Sequence, residues 1–590
     1  MKLLRLKITD PAGFRSLPCG FEHYFRTEWN LQDEHAKADH FAPFVCAGPN
    51  GSGKSNLLEA LAAIFFQLEV LRVRRSFLPE ALQDDAPDFS PTAFEMDYLI
   101  RVPIEYRSPG KPGWAKVCVR KNTGESVHFL WENSCDFNID MYEASKDSYA
   151  DILLPQYVLG YSSGENEILS LPFFKMRFVQ FDEYWTALTK QLPYPGHPDT
   201  RLAYLDSGFS QAILLCNLLF QDEATLQPFR EDVGIEDIKE FRIVLRRSIP
   251  LTRQQAMEFT SSKYGLPQYM QDEYFEDNAL INFDRETGDY HLKLLYGLEI
   301  DGRTSIIEKL KRCATLYFHD EDTDTLTLDY WVNEQTKNAF RDNFDGSALS
   351  LFQALQVLLT LNLYSVSDAI KADLYTSTSH YVSETVPVLA SDQRIMRFKF
   401  LCFSKQGVAQ PMLLKELSDG EHQLLHSLGL CLLFRETNSL FLLDEPETHF
   451  NPDWRASFIT RLRQCLQDNS EYAQEMLITT HTPFLISDSK PDKVLVFTKD
   501  NISGAAIISK PTYNTLGASV NKITYETFKK KETIGEGAQY LLEQLTAHPM
   551  SKTDPHYLAR KIMDIMGDSV ERTMAVHELL QKPNAHKEEE

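Results

Sequence analysis

The sequence predicts an α/β fold: a mixed central sheet with flanking helices, split between two halves of the chain by a largely helical insertion and followed by a helical C-terminal region. Three stretches predict it. Residues 41–47 form an apolar run that leads into Gly48-Pro49-Asn50-Gly51-Ser52-Gly53-Lys54-Ser55, and residues 56–71 then place Leu57, Leu58, Leu61, Ile64, Phe65 and Leu68 at near-helical spacing. Residues 440–445 (LFLLDE) are an apolar run ending in two carboxylates. Residues 476–481 (MLITTH) are another, ending in a histidine. Short apolar runs bounded by loops read as strands buried on both faces, as in a parallel sheet.

The remaining elements follow in order. Residues 2–8 alternate as a strand does, and Gly13-Phe14-Arg15-Ser16-Leu17 comes next. Alternation over 94–120 predicts antiparallel strands, broken by the Pro/Gly turn at 108–113. A short strand is expected at 153–159. From 201 to 363 the pattern is mainly helical, with an acidic turn at 320–324. A strand at 397–403 precedes a helix at 421–434, closing strands span 493–508, and 516–579 reads as helices. The domain limits are therefore set at 1–195, 196–395, 396–510 and 511–590. The insertion has no sustained heptads, so no long coiled-coil arm is expected, and no fixed-period repeat is present. The charged tail 584–590 is expected to fray.

Composition narrows the function. With 590 residues, 43% hydrophobic and 24% charged, the chain has material for several domains and a large core. A net charge of −24 argues against a surface-wide nucleic-acid platform, since phosphate contacts need clustered Lys and Arg. The nine cysteines are scattered without a CxxC pair, which suits neither a zinc cage nor a disulfide framework and points to a reducing compartment. Residues 1–8 do not read as a signal peptide, and the apolar stretch 348–366 carries Gln353, Gln356, Thr360 and Asn362, so it reads as a core helix. A cytoplasmic protein without a membrane partner is expected.

Strand, Gly-rich loop and helix together make a phosphate-binding loop. Gly51 and Gly53 let the backbone N–H groups of Asn50 to Asn56 approach phosphate oxygens, and the helix adds its positive end. Lys54 supplies a charge to the β- and γ-phosphates of ATP, and the Ser55 hydroxyl is a ligand for Mg²⁺. Asp444, at the carboxyl end of its strand, is a second Mg²⁺ ligand, and Glu445 is placed to orient water and take its proton. Ser418 and Gly420, in Leu417-Ser418-Asp419-Gly420-Glu421, open a helix whose N-terminus can hold an anion. His481 is placed to sense the γ-phosphate, and Gln156 is the candidate for a further Mg²⁺ contact. Ser162-Ser163-Gly164-Glu165 mimics that helix-opening loop but is read as a turn, because no acidic strand follows at a suitable distance.

Together these motifs resemble the SMC/RecF/OLD branch of ABC ATPases. The branch's N-F-R-S is echoed by Gly13-Phe14-Arg15-Ser16, its Asp-Glu-Pro-Glu by 444–447, its Leu-His-Pro by Phe450-Asn451-Pro452, and its Thr-His-Ser/Thr-Pro by 480–483. The resemblance implies that Arg15 serves the nucleotide, that Leu417–Glu421 is an ABC signature, and that two heads sandwich ATP in a homodimer or higher oligomer. Asp419 and Glu421 depart from the transporter-type signature, and Asn451 stands where His is usual. Size, compact insertion and absent coiled coil look most like the ATPase subunits of Septu-type (PtuA) anti-phage systems, including retron-associated ones. That likeness implies a small HNH nuclease partner (PtuB) and, with retrons, a reverse transcriptase and its RNA/DNA product. No Asp-x-Asp on an apolar strand follows His481, so a Toprim nuclease within the chain is not expected. A RecF-like DNA clamp is the alternative, through Arg72, Arg74 and Arg75 or Lys116, Arg120 and Lys121.

Overall fold

The computed structural model describes residues 1–27, 41–73, 78–79, 82–83, 89–111, 113–138, 151–163, 168–260, 279–284, 287–300, 302–380, 386–466, 472–530, 534–548 and 554–581. At its centre lies a seven-stranded sheet in the order Ala506–Ser509, Val494–Lys499, Phe44–Ala47, Glu475–Thr480, Ser439–Asp444, Tyr157–Ser162 and Leu202–Tyr204. All neighbours are parallel except the edge pair Val494–Lys499 and Ala506–Ser509. This mixed sheet with flanking helices is the fold class the sequence predicts. The strand carrying the histidine is interposed between the phosphate-loop strand and the acidic strand, so all three end at one edge.

Because side chains alternate along a strand, the sheet sorts its residues into two cores. Phe44, Cys46, Leu440, Leu442, Leu477 and Leu495 face one side. There they meet the helix Lys54–Arg72, which a five-stranded antiparallel sheet covers from above; its strands include Lys2–Ile8, Phe94–Arg101 and Trp114–Lys121. Val45, Ala47, Phe441, Leu443, Met476 and Ile478 face the other side, against helices Ser210–Phe220, Asp419–Leu433 and Pro452–Cys465. Helix Lys54–Arg72 is buried on nearly all sides, as that sandwich requires, with Glu59, Gln67 and Glu69 buried among its apolar residues. The two sheets are tied together by Arg26, whose guanidinium binds both carboxylate oxygens of the buried Glu475, the Nη2–Oε1 distance being 3.0 Å.

The insertion departs from its largely helical expectation. Helices Ser210–Phe220, Ile306–Cys313, Glu334–Asn343 and Ala348–Thr360 alternate with strands, and Leu202–Tyr204 belongs to the central sheet. Ile235–Arg246 is a 12-residue strand at the middle of a second five-stranded sheet. It pairs antiparallel with Thr325–Trp331 on one side and Met396–Lys405 on the other. Its charged residues (Glu236, Asp237, Lys239, Glu240) suggest a helix locally, but strand partners far along the chain decide the conformation. Ala348–Ser365 is long and apolar enough to cross a membrane by length and composition, yet Leu351, Phe352, Leu355 and Leu358 pack in the core. At the C-terminus, helices Glu536–Ala547, Pro555–Ile565 and Val570–Gln581 share a small core of their own, including Leu542, Leu558, Ile562 and Leu579. The tail 584–590 and the residues Gly164 and Glu165 lie outside the described residues.

Candidate nucleotide-binding site

Register brings the site together. Asp444 pairs with Ser162 on one side and Thr479 on the other, so the three side chains project from the same face, toward the start of helix Lys54–Arg72. The Ser55 hydroxyl donates to Asp444 Oδ1 at 2.8 Å, and the Thr479 hydroxyl donates to the same oxygen at 2.5 Å. Asp444 is fully buried, and burial raises its pKa against the pull of those two hydroxyls. Gly53 precedes the helix with φ +96°, and a Cβ there would lie 2.5 Å from Ser16 Oγ. The loop 13–17 is thereby pressed onto the phosphate loop, where Asn56 Nδ2 donates to Ser16 Oγ at 2.7 Å.

Lys54 is buried, and its ammonium donates to the carbonyls of Gly48 (3.1 Å) and Pro49 (3.2 Å). Desolvation lowers its pKa, opposed by Glu445 and Asp444. Its Nζ also stands 3.0 Å from His481 Nε2, and that same nitrogen is 2.7 Å from Glu445 Oε1. One ring nitrogen cannot donate to Glu445 and accept from Lys54 at once, so the proton on Nε2 decides which partner His481 serves. The bond to His481 holds the Glu445 carboxyl below its usual range. Glu445 has φ +50°, a conformation rare outside glycine, and its N–H donates to Thr479 Oγ1 at 3.0 Å. Lys54, Ser55, Asp444, Glu445 and His481, chosen from the sequence, thus form one hydrogen-bonded cluster.

Asn50 and Gly51 are exposed at the loop tip, whereas Ser52 is buried and its hydroxyl has no hydrogen-bond partner among the described residues. The buried Ser162 hydroxyl, beside Asp444 in register, is likewise unpartnered. The orphaned Ser162 hydroxyl beside the Ser55–Asp444 pair makes an all-oxygen donor set of the kind Mg²⁺ takes, and it fits a nucleotide with its metal.

Two expected residues are placed differently. Gln156 sits before the first residue of strand Tyr157–Ser162, at the amino end of the sheet. Its side-chain oxygen accepts from the Asn438 N–H at 2.7 Å, and its own N–H donates to the Asn438 carbonyl. It is therefore not a metal contact. Asp444 lies level with Ser162, about 20 Å further along a strand that rises ~3.3 Å per residue. Arg15 is the second case. Its guanidinium is engaged by Glu59 (2.9 Å), the Thr378 carbonyl (2.9 Å) and His380 (3.0 Å), one turn beyond Ser55 on the helix.

The signature segment is a capped helix start. The Ser418 N–H and hydroxyl both donate to Glu421 Oε2, at 2.8 and 2.9 Å, and Lys405 pairs with Glu421. Among the described residues these bonds keep Ser418 within its own turn. A Cβ on Gly420 would sit 2.7 Å from the His449 carbonyl oxygen, so glycine lets the loop after Glu445 close against this turn. Gln423 Oε1 accepts from His449 N–H at 2.9 Å, and Asn451 caps the next helix by accepting from Trp454 N–H at 2.8 Å.

Residue-by-residue reading missed Ser162, Ser163, Thr479, Thr480 and Glu447. Ser163 N–H donates to the Asp444 carbonyl, and its hydroxyl meets Thr448 at 2.8 Å. Thr480, on the opposite face from Thr479, donates to the buried Glu447, whose pKa burial raises to about 7. The alternation TT before His481 was the available signal: one threonine must face each side of the sheet.

A phosphate loop meeting an acidic strand across a parallel sheet defines an ATP-binding domain. Consistent with it, residues 319–487, which include the acidic strand and His481 but not the phosphate loop, match the family model described as "AAA domain, putative AbiEii toxin, Type IV TA system". No curated protein matches the chain. Similar solved structures include an SmcHead bound to the C-winged helix domain of ScpA, at 10% identity and TM-score 0.28, covering 86% of this chain and 96% of that one. Another is the SMC head domain from Thermotoga maritima, at 11% identity and TM-score 0.26, covering 86% and 99%. Superpositions this loose do not fix a fold; the sheet order does.

Proposed function

We propose that this chain hydrolyses ATP between two heads of a homodimer and scaffolds a separate small HNH nuclease, which it restrains, in a cytoplasmic anti-phage complex. The observation that carries the ATPase part is the cluster Lys54–His481–Glu445 beside Ser55–Asp444–Thr479. Ser55 and Asp444 would hold Mg²⁺, which supplies charge neutralisation on the phosphates when bound. Lys54 exchanges its loop carbonyls for phosphate oxygens. Glu445 orients the attacking water and takes its proton as the bond to the γ-phosphorus forms and the β–γ bridge breaks. His481, released from Lys54 by the arriving phosphate, reports that the site is filled. Ser418 of the partner subunit would complete the γ-phosphate contacts from a helix N-terminus, its hydroxyl turning from Glu421 to the phosphate.

The nuclease part rests on the resemblance to Septu-type ATPases alone; the matched family's description names a toxin–antitoxin system but no nuclease. The C-terminal helices are the proposed docking element: Tyr540, Leu541, Tyr557, Met563 and Met574 are exposed around their small core. Of the basic run there, Lys529 and Lys530 are described and Lys531 is not. The DNA-clamp reading finds less support. Lys116 pairs with Glu132, Arg120 with Asp97, Lys121 with Gln67, and Arg72 with Glu69. Arg74 and Arg75 lie outside the described residues. Co-expression with the native neighbouring genes, purification and mass spectrometry test the proposal. A stoichiometric small nuclease, with or without a reverse transcriptase and its RNA/DNA product, supports it. Recovery of the chain alone with ATP and Mg²⁺ refutes the effector part and leaves the ATPase part to the Glu445 variant below.

A further inference from the structure

We propose that a cavity flanking helix Lys54–Arg72 is a second ligand site, separate from the nucleotide site, for a small organic anion: one carboxylate or phosphate on a flat apolar body. The cavity, open to solvent on one side, offers about 210 Å³ between that helix, the loop 13–15, helix Ser170–Thr189 and residues 376–378. At ~30 Å³ per liquid water it has room for about seven waters, or a ligand of roughly ten heavy atoms. Phe14, Phe66, Phe89 and Leu171 make its apolar walls, with Phe66 and Phe89 edge to face at 5.4 Å.

The polar groups call for an anion. Lys175 is buried, and among the described residues no carboxylate pairs with it. Its ammonium donates to the Ser377 carbonyl at 2.7 Å and lies 5.9 Å from the Phe66 ring. Ser377 caps the C-terminus of helix Asp368–Thr376, which offers a partial negative charge but not a counter-ion. Lysines are rarely buried unless paired, because stripping an ammonium of water is costly. Burial alone brings this one down to about 8, so it remains charged at neutral pH. Arg15 lines the same cavity, and its one carboxylate, Glu59, is shared with His380. Among the described residues lining the cavity, Lys175 and Arg15 thus stand against one carboxylate, Glu59, beside aromatic walls that suit a flat body.

Occupancy would reach the ATP site through bonded neighbours. Glu59, Ala63 and Phe66 lie on one face of the phosphate-loop helix, and Arg15 precedes Ser16, which holds Asn56. Binding at one site should therefore change affinity at the other by the same factor. The inference does not depend on a nuclease partner or on hydrolysis.

Calorimetric titration of the full-length chain with benzoate, phenyl phosphate and neutral benzamide tests it. The expected result is 1:1 binding of at least one anion, none of benzamide, and at least tenfold weaker anion binding by Lys175→Met. Preference for benzoate or phenyl phosphate assigns the natural head group as carboxylate or phosphate. Lys175→Met should melt no lower than wild type, since it replaces a buried charge that has no carboxylate partner among the described residues with an apolar chain of similar length. The proposal is overturned if neither anion binds at millimolar concentration, or if Lys175→Met binds as wild type does. A clear loss of melting temperature in that variant would make Lys175 a structural tether and also overturn it. So would competitive displacement by ATP without a plateau, which would assign the cavity to the nucleotide site.

Discussion

The two ends of the central sheet use the same residue types for different ends. At the amino end, Glu475 is buried with Arg26, and the Gln156 side-chain oxygen and N–H are both bonded to the Asn438 backbone, so these groups have fixed protein partners. At the carboxyl end, Asp444 accepts from the Ser55 and Thr479 hydroxyls, Glu447 accepts from Thr480, and the buried Ser52 and Ser162 hydroxyls have no hydrogen-bond partner among the described residues. A fold tolerates such under-satisfaction where a ligand will supply what is missing. The amino end holds the molecule together, and the carboxyl end is kept unfinished.

The largest expected effect belongs to the unfinished end. Glu445→Gln should lower ATP turnover by about 10²–10⁴-fold while ATP still binds, and should accumulate ATP-bound dimer on size-exclusion chromatography. Turnover at the wild-type rate would remove Glu445 from its assigned role. Lys54→Ala should abolish nucleotide binding in equilibrium dialysis without lowering the melting temperature.

At the finished end the effects should fall on stability instead. Arg26→Met strands the Glu475 carboxylate and should cost about 3–5 kcal/mol in denaturant unfolding, with any surviving folded protein binding ATP normally. Gln156→Ala removes one peripheral hydrogen bond and should cost about 1 kcal/mol, leaving turnover within twofold of wild type. A hundredfold loss of turnover there would restore Gln156 to the metal site and erase the contrast between the ends.

The remaining effect concerns pH. Glu447 binds its proton more tightly in the folded chain, with a pKa of about 7 against an ordinary 4.5. The unfolded chain therefore releases that proton first as pH rises. The stability it contributes is full below about 4.5 and lost by about 7, at no more than about 1.4 kcal/mol per pH unit. Glu447→Gln should flatten that part of the melting-temperature profile between pH 4.5 and 7. An unchanged slope would mean that Glu447 is ionised in the folded chain.

The contrast also explains what could be read from the chain itself. Lys54, Ser55, Asp444, Glu445 and His481 were legible because each ends or begins an element whose own residues define it: an apolar run, then a functional side chain at the carboxyl edge. Gln156 was misplaced because strand limits shifted. A strand expected to end near 159 instead runs over Tyr157–Ser162, which moves Gln156 from its interior to its amino end and brings Ser162 level with Asp444. The strand Ile235–Arg246 was illegible for a different reason. Its partner Met396–Lys405 lies some 160 residues onward, and no local pattern reports so distant a ladder.

That ladder bears on how the chain can be engineered. Since Ile235–Arg246 is an inner rung of a sheet whose next strand leads toward Ser418, excising the insertion would unmake the segment that presents the signature helix. The turn joining Leu316–Asp320 to Thr325–Trp331 closes a hairpin at the sheet's edge, with Leu316, Tyr317 and Phe318 exposed. A reporter domain grafted at residues 321–323 would hang from that hairpin without breaking a rung, giving a handle for following the protein in living cells.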